Sequence, residues 1–263
     1  MYHIEIEFPM NRLIYFFTLS LFTLMIQSCK DDEPIPVPGK STATITFDAR
    51  WNGVPFQMQQ VYMDDFGNRI RADKFMNYFS FIKLVAEDGS EVVLKDFVLA
   101  DFSETNSYTA EVPPGKYTAL KFGIGVDRDY NKDQDPAQYP SSSPLSVAGS
   151  QGMFWVWNTG YIFAKFEGKA DTTGTEGVEL LSPIAIHAGD DFSYRNYTSP
   201  NFNVTIDGKD HVFAVYLNVD RIFSPEQGND VNIAQDAITH GGTNPDLTNN
   251  FMDNYLAALS LEP

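Results

Sequence analysis

The sequence predicts an all-β domain, an immunoglobulin-like β-sandwich of antiparallel strands with one or two short helices near the C-terminus. Two observations support this prediction. Polar and apolar residues alternate in several segments, as they do in strands that bury one face. Turns rich in Gly, Pro and Asp separate these segments at a spacing typical of a sandwich.

The predicted strands share β-favouring residues and turn-forming flanks, and they span 42–47, 78–85, 92–94, 116–124 and 211–220. Glu87-Asp88-Gly89-Ser90 makes a hairpin turn before the third strand, and Pro113-Pro114-Gly115 makes a turn before the fourth. Helical spacing is found in Ile233–Ile238 and Leu247–Leu259. The second of these helices carries one apolar face, formed by Phe251, Tyr255, Leu256 and Leu259.

The N-terminal residues 1–28 have the pattern of a secretory signal. Arg12 precedes an apolar run over 13–26, which is too short to span a bilayer comfortably, and Gln27-Ser28-Cys29 follows. This end resembles a bacterial lipoprotein box in which Cys29 becomes the lipidated first residue. The alternative is an ordinary export signal with an incidental cysteine. Because Cys29 is the only cysteine, its lipidation would leave no thiol for a disulfide.

Residues 29–41 are predicted to form an acidic, proline-rich tether, followed by a single domain over 42–263. Lys30-Asp31-Asp32-Glu33 resembles the tag of Bacteroidota lipoproteins that are exported to the cell surface. A proline-spaced stretch over 34–39 would hold the domain away from the lipid. We therefore expect an outer-membrane lipoprotein held to the membrane through Cys29, at the cell surface or on the periplasmic face.

Charge and motifs exclude several classes of function. The chain carries a formal net charge of −17 and shows no basic stripe, so a nucleic-acid backbone would be repelled. It has no Gly-x-Ser-x-Gly elbow, no phosphate-binding Gly loop, no His-Glu-x-x-His and, apart from the predicted lipid site, no cysteine nucleophile. We expect a binding protein rather than an enzyme.

The segment Gly152–Tyr161 is the most distinctive part of the chain. Trp155 and Trp157 are two residues apart, so their indoles share a face if the backbone is extended. They are then core residues, a stacking platform, or oxidisable side chains beside a metal.

Several motifs together resemble the MbnP-like family, whose members are associated with methanobactin and copper handling. The resemblance covers about Thr42–Leu261. In chain order the motifs are Tyr117-x-x-Leu120-x-Phe122-Gly123-Ile124-Gly125-Val126, Asn131, Asp135-Pro136-Ala137, Ser143-Pro144-Leu145, Met153-x-Trp155-x-Trp157-x-x-Gly160-Tyr161-x-Phe163, Ile186-His187-Ala188-Gly189, and an Asn-Pro-x-Leu pattern from Asn244.

The resemblance implies a β-sandwich of the cell envelope that binds copper. In copper-binding members a tryptophan is oxidised to kynurenine by a diheme peroxidase-like partner of the MbnH type. By this resemblance the candidate copper site contains His187, with Met153 and His240 as further ligands and Trp155 or Trp157 beside them. Imidazole and thioether are ligands that copper(I) accepts.

The chain departs from the family pattern at two places where copper-handling members carry histidine. The first-strand region Phe47–Gly53 has no histidine, and a loop reads Asn131-Lys132. His187 therefore has a second interpretation, as a structural residue bonded to a backbone carbonyl. The alternative function is an accessory lipoprotein that binds a glycan or a protein, with the tryptophans stacked on sugar rings.

A calcium site is a further hypothesis. Oxygen-bearing side chains alternate along one loop, at Asp127, Asp129, Asn131, Asp133 and Asp135. Calcium collects carboxylates in this way, but the sixth position is Lys132 rather than Gly and the twelfth is Gln138 rather than Glu. A solvated acidic loop is the alternative.

Overall fold

The computed structural model describes residues 41–158, 160–225 and 229–262. The predicted signal peptide over 1–28, the lipidated Cys29 and all of the tether except residue 41 lie outside the described residues. Within the described ranges no helix is long and apolar enough to cross a membrane.

Fifteen strands, numbered in chain order, form two sheets in the described part of the chain. The smaller sheet contains β1 (Ser41–Trp51), β2 (Val54–Pro55), β6 (Asn106–Val112), β13 (His211–Asn218) and β15 (Leu259–Glu262). The larger sheet contains β3 (Val61–Met63), β4 (Arg69–Ala86), β5 (Glu91–Asp101), β7 (Gly115–Ile124), β8 (Phe154–Trp155), β9 (Gly160–Asp171), β10 (Ser182–Gly189), β11 (Arg195–Thr198), β12 (Val204–Ile206) and β14 (Ile238–His240). The all-β prediction is confirmed, and each predicted strand overlaps an observed one.

The strand pairing departs from a purely antiparallel sandwich. Strand β4 is 18 residues long and pairs antiparallel with β3, β5, β7 and β9. Two pairs are instead parallel, β1 with β13 and β10 with β14. Parallel partners need a long connection between them, so alternation within each strand could not predict these neighbours.

Three short α-helices lie in the described ranges, α1 (Arg128–Asn131), α2 (Val219–Ile222) and α3 (Pro245–Ala257). Helix α3 confirms the predicted C-terminal helix: the Asn244 side chain accepts a hydrogen bond from the Leu247 backbone N–H at 3.1 Å, and Pro245 begins the helix. The other predicted helix, which precedes α3 in the chain, is not observed among the described residues.

The predicted helix Ile233–Ile238 is wrong. The backbone carbonyl of Asn232 accepts hydrogen bonds from Gln235 and Asp236, which closes a single turn. Ile238 then begins β14 and pairs with Ala185 on β10. The apolar spacing of this segment predicted a helix, but the segment instead forms backbone hydrogen bonds with the edge of β10. Tertiary contacts of this kind commonly outweigh local helix propensity.

Aromatic rings join the two sheets. Phe47 of β1 and Phe79 of β4 are fully buried and stack with ring centroids 4.0 Å apart. Phe122 of β7 meets both rings edge-on, at centroid distances of 5.5 and 5.3 Å. This contact is the centre of the main core, because it connects the strands that organise each sheet.

The larger sheet buries its other face as well. Along β4, Phe75 and Phe79 belong to the main core, whereas the alternate residues Met76 and Tyr78 belong to a second apolar cluster. The buried members of this second cluster are Met76, Tyr78, Val126, Leu145, Met153, Trp155, Tyr161, Ile162 and Phe163. The segment between β7 and β9 covers this cluster. The hydroxyl of Tyr78 donates a hydrogen bond to the carbonyl of Pro144 in that segment, at 2.7 Å.

Truncating the ring that joins the sheets tests the main core. We expect Phe79→Ala to lower the free energy of unfolding by about 3–5 kcal/mol, because it removes buried ring contacts and leaves a cavity. Val93→Ala on β5 is the control; Val93 is 52% exposed, so a change within about 0.5 kcal/mol is expected. Urea unfolding measures both, and equal losses would contradict this account of the core.

Candidate functional site

A row of side chains crosses four strands of the larger sheet on the face of the second cluster. In the sheet register Met76 of β4 lies opposite Lys165 of β9, Lys165 lies opposite His187 of β10, and His187 lies opposite His240 of β14. Register partners project from the same face of a sheet. The pairing therefore places two histidines and a lysine side by side.

His187 is the centre of this row. The residue is 8% exposed, and its Nε2 lies 2.7 Å from Glu167 Oε1. Its other ring nitrogen, Nδ1, is buried without a hydrogen-bond partner in the structure. The ring of His240 stands edge-on against it, with centroids 4.7 Å apart and planes at 81°. The structure thus brings His187 and His240, two of the predicted copper ligands, into contact.

The hydrogen bond to Glu167 decides which nitrogen of His187 is free. An ionised carboxylate can only accept, so Nε2 carries the proton and the lone pair of the neutral ring is on Nδ1. Burial, and after it the nearby Lys165 charge, lowers the pKa of His187 below its ordinary value, while the Glu167 hydrogen bond opposes the shift. A neutral imidazole with an unbonded ring nitrogen is the form that binds a metal.

Lys165 is an unusual neighbour for such a ring. It is 8% exposed, its Nζ donates to the Gly152 carbonyl at 3.1 Å, and the same nitrogen lies 3.9 Å from Glu167 Oε1. Burial lowers the pKa of Lys165. Sequence reasoning missed both Lys165 and Glu167, although their charges interrupt the apolar run of β9 at a spacing of two.

The two predicted tryptophans have different environments. Trp155 ends β8 and is 5% exposed, whereas Trp157 lies in the turn that follows and is 64% exposed. Their rings still meet, at a centroid distance of 5.3 Å. The two indoles would share one face of a strand only if the backbone were extended from Trp155 to Trp157. The strand instead ends at Trp155, so this condition is not met. One indole is a core residue and the other is available to solvent.

Trp155 packs against glycines that flank the histidines. A Cβ built on Gly189 would lie 2.5 Å from the indole Cζ3, and one on Gly241 would lie 3.0 Å from its Cη2. Gly241 directly follows His240 and has φ of +60°. The indole edge therefore lies beside Gly189 of β10 and beside the turn that begins directly after His240, the last residue of β14.

Met153, the third predicted copper ligand, is fully buried in the second cluster with Trp155. Its backbone is fixed by Ile162, whose N–H donates to the Met153 carbonyl at 2.8 Å. This environment accounts for the residue as a core side chain. Its role as a ligand stays a prediction.

Asp190 anchors the loop beside Trp155. It has φ of +67°, and its Oδ1 accepts hydrogen bonds from Lys132 Nζ at 2.5 Å and from Asn158 Nδ2 at 3.3 Å. Lys132, which stands where the family resemblance led us to expect a histidine, thus forms an ion pair with Asp190. A fixed ammonium group balances the carboxylate at this point.

The acidic loop of the calcium hypothesis uses its polar groups locally. Asp127 and Asp135 accept hydrogen bonds from the backbone N–H groups of Asp129 and Ala137, at 3.0 and 2.9 Å. Asn131 is fully buried; it donates to Asp191 and accepts from the Tyr161 backbone. These contacts account for several of the oxygens. Calcium binding, including the role of Asp133, stays a prediction.

In the part of the chain that the structure describes, no three His, Cys, Asp or Glu side chains lie close enough together to hold a metal ion. The candidate site is therefore a pair of imidazoles with one supporting carboxylate. Such a pair does not match a closed structural zinc site, which needs four protein ligands.

The fold and this site define an all-β protein in which a buried histidine, His187, contacts a half-buried one, His240, on the outer face of its larger sheet. The chain belongs to the MbnP family, whose model matches residues 40–245. Among solved structures, MbnP from Methylosinus trichosporium is similar, with 14% identity, a TM-score of 0.49, and coverage of 70% of this chain and 78% of that one. The comparison with curated proteins gives no match.

Enlarging Gly189 tests the packing around Trp155. Gly189→Ala places a methyl group 2.5 Å from the indole and 2.9 Å from the Tyr161 carbonyl, so we expect a loss of about 1–3 kcal/mol in the free energy of unfolding. Gly115→Ala is the control, since its nearest neighbour would be 3.7 Å away. Equal stability of the two variants in urea would contradict the packing described here.

The lowered pKa of His187 gives the metal-free protein a pH dependence. The folded state binds a proton at this ring less readily than the unfolded chain does, so this contribution to stability is present above pH 6.5 and is lost as pH falls below it. We expect His187→Gln to remove that part of the acid loss. Urea unfolding at several pH values measures the difference, and identical pH profiles for the two proteins would refute it.

Proposed function

We propose that this protein is a cell-envelope copper(I)-binding protein, held to the membrane by a lipid on Cys29, in which His187 and His240 supply the ligands. The observation that carries the proposal is the buried Nδ1 of His187, which has no hydrogen-bond partner. Leaving a buried acceptor unpaired costs about 1–3 kcal/mol, and a metal ion bound at this nitrogen would offset that cost.

The surroundings of His187 support ligation. Metal-binding histidines almost always donate their second ring N–H to a carboxylate or carbonyl, which fixes the ring and raises its basicity. Glu167 accepts that bond from Nε2 at 2.7 Å. A second imidazole, that of His240, lies in contact with the first. An imidazole donor, a carboxylate that supports it and a second imidazole therefore lie together.

The donor set favours copper(I) among biological metals. Imidazole suits copper and zinc, but a zinc site uses three or four protein ligands. Copper(I) tolerates low coordination numbers and can be held by two nitrogen donors. A negatively charged surface, with a formal net charge of −17 for the whole chain, also attracts cations from solution.

The tryptophan pair fits a further part of the proposal. We place the oxidisable indole at Trp155, whose ring lies beside Gly241 next to His240. Trp157 is 64% exposed and 5.3 Å from Trp155, so an oxidising diheme partner of the MbnH type could reach the buried ring through it. In this proposal the protein binds and is modified, and does not itself catalyse a reaction.

One observation favours a second candidate function, the binding of a glycan. Val156 and Trp157 are 83% and 64% exposed at the tip of a turn, and Asn158 supplies a polar group beside them. An exposed indole with polar neighbours can stack on a sugar ring. Trp157→Ala should then abolish glycan binding and leave copper affinity unchanged.

Copper(I) titration against a competing chromogenic chelator tests the metal site. We expect a 1:1 complex that His187→Ala and His240→Ala each weaken at least ~100-fold, and that Glu167→Ala weakens ~10–100-fold, since each change removes a ligand or its support. His211→Ala is the matched control. His211 also buries an unpartnered ring nitrogen, Nε2, but stands on β13 in the other sheet.

Equal copper(I) affinity in the wild-type protein and the His187 and His240 variants would overturn the proposal. So would a His211→Ala loss as large as theirs, because the effect would then follow from removing any histidine. Intact mass of the protein from its native host separately reports whether Trp155 or Trp157 has been oxidised.

A further inference from the structure

Lys165 is a fixed positive charge beside the histidine pair on the same face of the sheet. The sheet register places it directly beside His187 on the neighbouring strand. Its side chain is 10% exposed, so solvent screens its charge weakly. A lysine in this position cannot ligate a metal while it is protonated, and it repels any cation that binds next to it.

Glu167 does not cancel this charge completely. Its carboxylate lies 3.9 Å from Lys165 Nζ and 2.7 Å from His187 Nε2, but the side chain is 37% exposed. A partly hydrated carboxylate is better screened than a buried ammonium.

We propose that Lys165 makes the histidine site selective for singly charged metal ions over doubly charged ones, as copper(I) over copper(II) or zinc(II). This inference rests on the proposed function and names the charge class of its ligand. Coulomb repulsion is proportional to the charge of the ion, so a fixed ammonium penalises a divalent ion twice as much as a monovalent one. The donor atoms are the same for both.

A purely structural role for Lys165 makes a different prediction. Its Nζ donates to the Gly152 carbonyl, which precedes Met153 and strand β8, so the side chain also fixes this loop. Loss of that contact alone would displace Trp155 and the loops around the site. Every metal would then lose affinity, with no dependence on its charge.

The test compares Ag(I) and Zn(II), two redox-stable ions with filled d shells, at neutral pH. In Lys165→Met we expect affinity for Ag(I) to rise ~10-fold and affinity for Zn(II) to rise by the square of that factor, ~100-fold. Lys165→Arg keeps the charge and should retain the wild-type ratio. Lys74→Met is the matched control, because Lys74 lies opposite Glu167 on the same face but is more exposed.

The outcomes separate the two hypotheses. If wild-type protein binds Ag(I) and Lys165→Met changes both affinities by one common factor, the selectivity role is overturned while the proposed function stands. If wild-type protein binds no Ag(I) or copper(I), the proposed function fails. Urea unfolding of the metal-free variants confirms that each is folded, and Lys165→Gln provides a second neutral variant should Lys165→Met unfold.

Discussion

Strand β9 packs against two apolar clusters at once, and the rest of the site depends on this constraint. Its alternate residues Ala164 and Phe166 face the main core, whereas Phe163 belongs to the second cluster. Lys165 lies on the same face as Phe163, beside His187. Because the pleat has a fixed period of two, a polar side chain on β9 cannot change face without displacing a core residue. Two well-packed layers therefore hold the charged groups of the site in place.

The site is defined by a combination of features rather than by any one of them. Buried polar atoms without partners also occur at Asn77, Tyr197, His211 and Tyr255 among the described residues. Each can be a tolerated cost within a large aromatic core. At His187 the unpaired nitrogen coincides with a second imidazole and a supporting carboxylate. This combination of features distinguishes His187 from the other four residues.

Much of the fold could be predicted from local patterns, and less of the site. Alternation predicted β1 and β4, and β-favouring residues predicted β7 and β13; each of these strands has one face in the main core. The family resemblance also singled out His187, at a family histidine position, with His240 as a further candidate ligand. Their partner Glu167 could not be predicted, because its contact depends on the register between β9 and β10. Trp155 and Trp157 have different environments because β8 ends at Trp155 and a turn follows it. The position of that strand end could not be predicted from the sequence.

The parallel pairing of β10 with β14 has a consequence for how the protein matures. Three further strands and helix α2 separate these two strands along the chain. Closing so long a loop is entropically slow compared with forming a hairpin. The two imidazoles therefore become neighbours only after the intervening strands have docked, and a partly folded chain offers isolated histidines. Under the proposed function, a chain therefore holds both copper ligands together only once this strand pair has assembled.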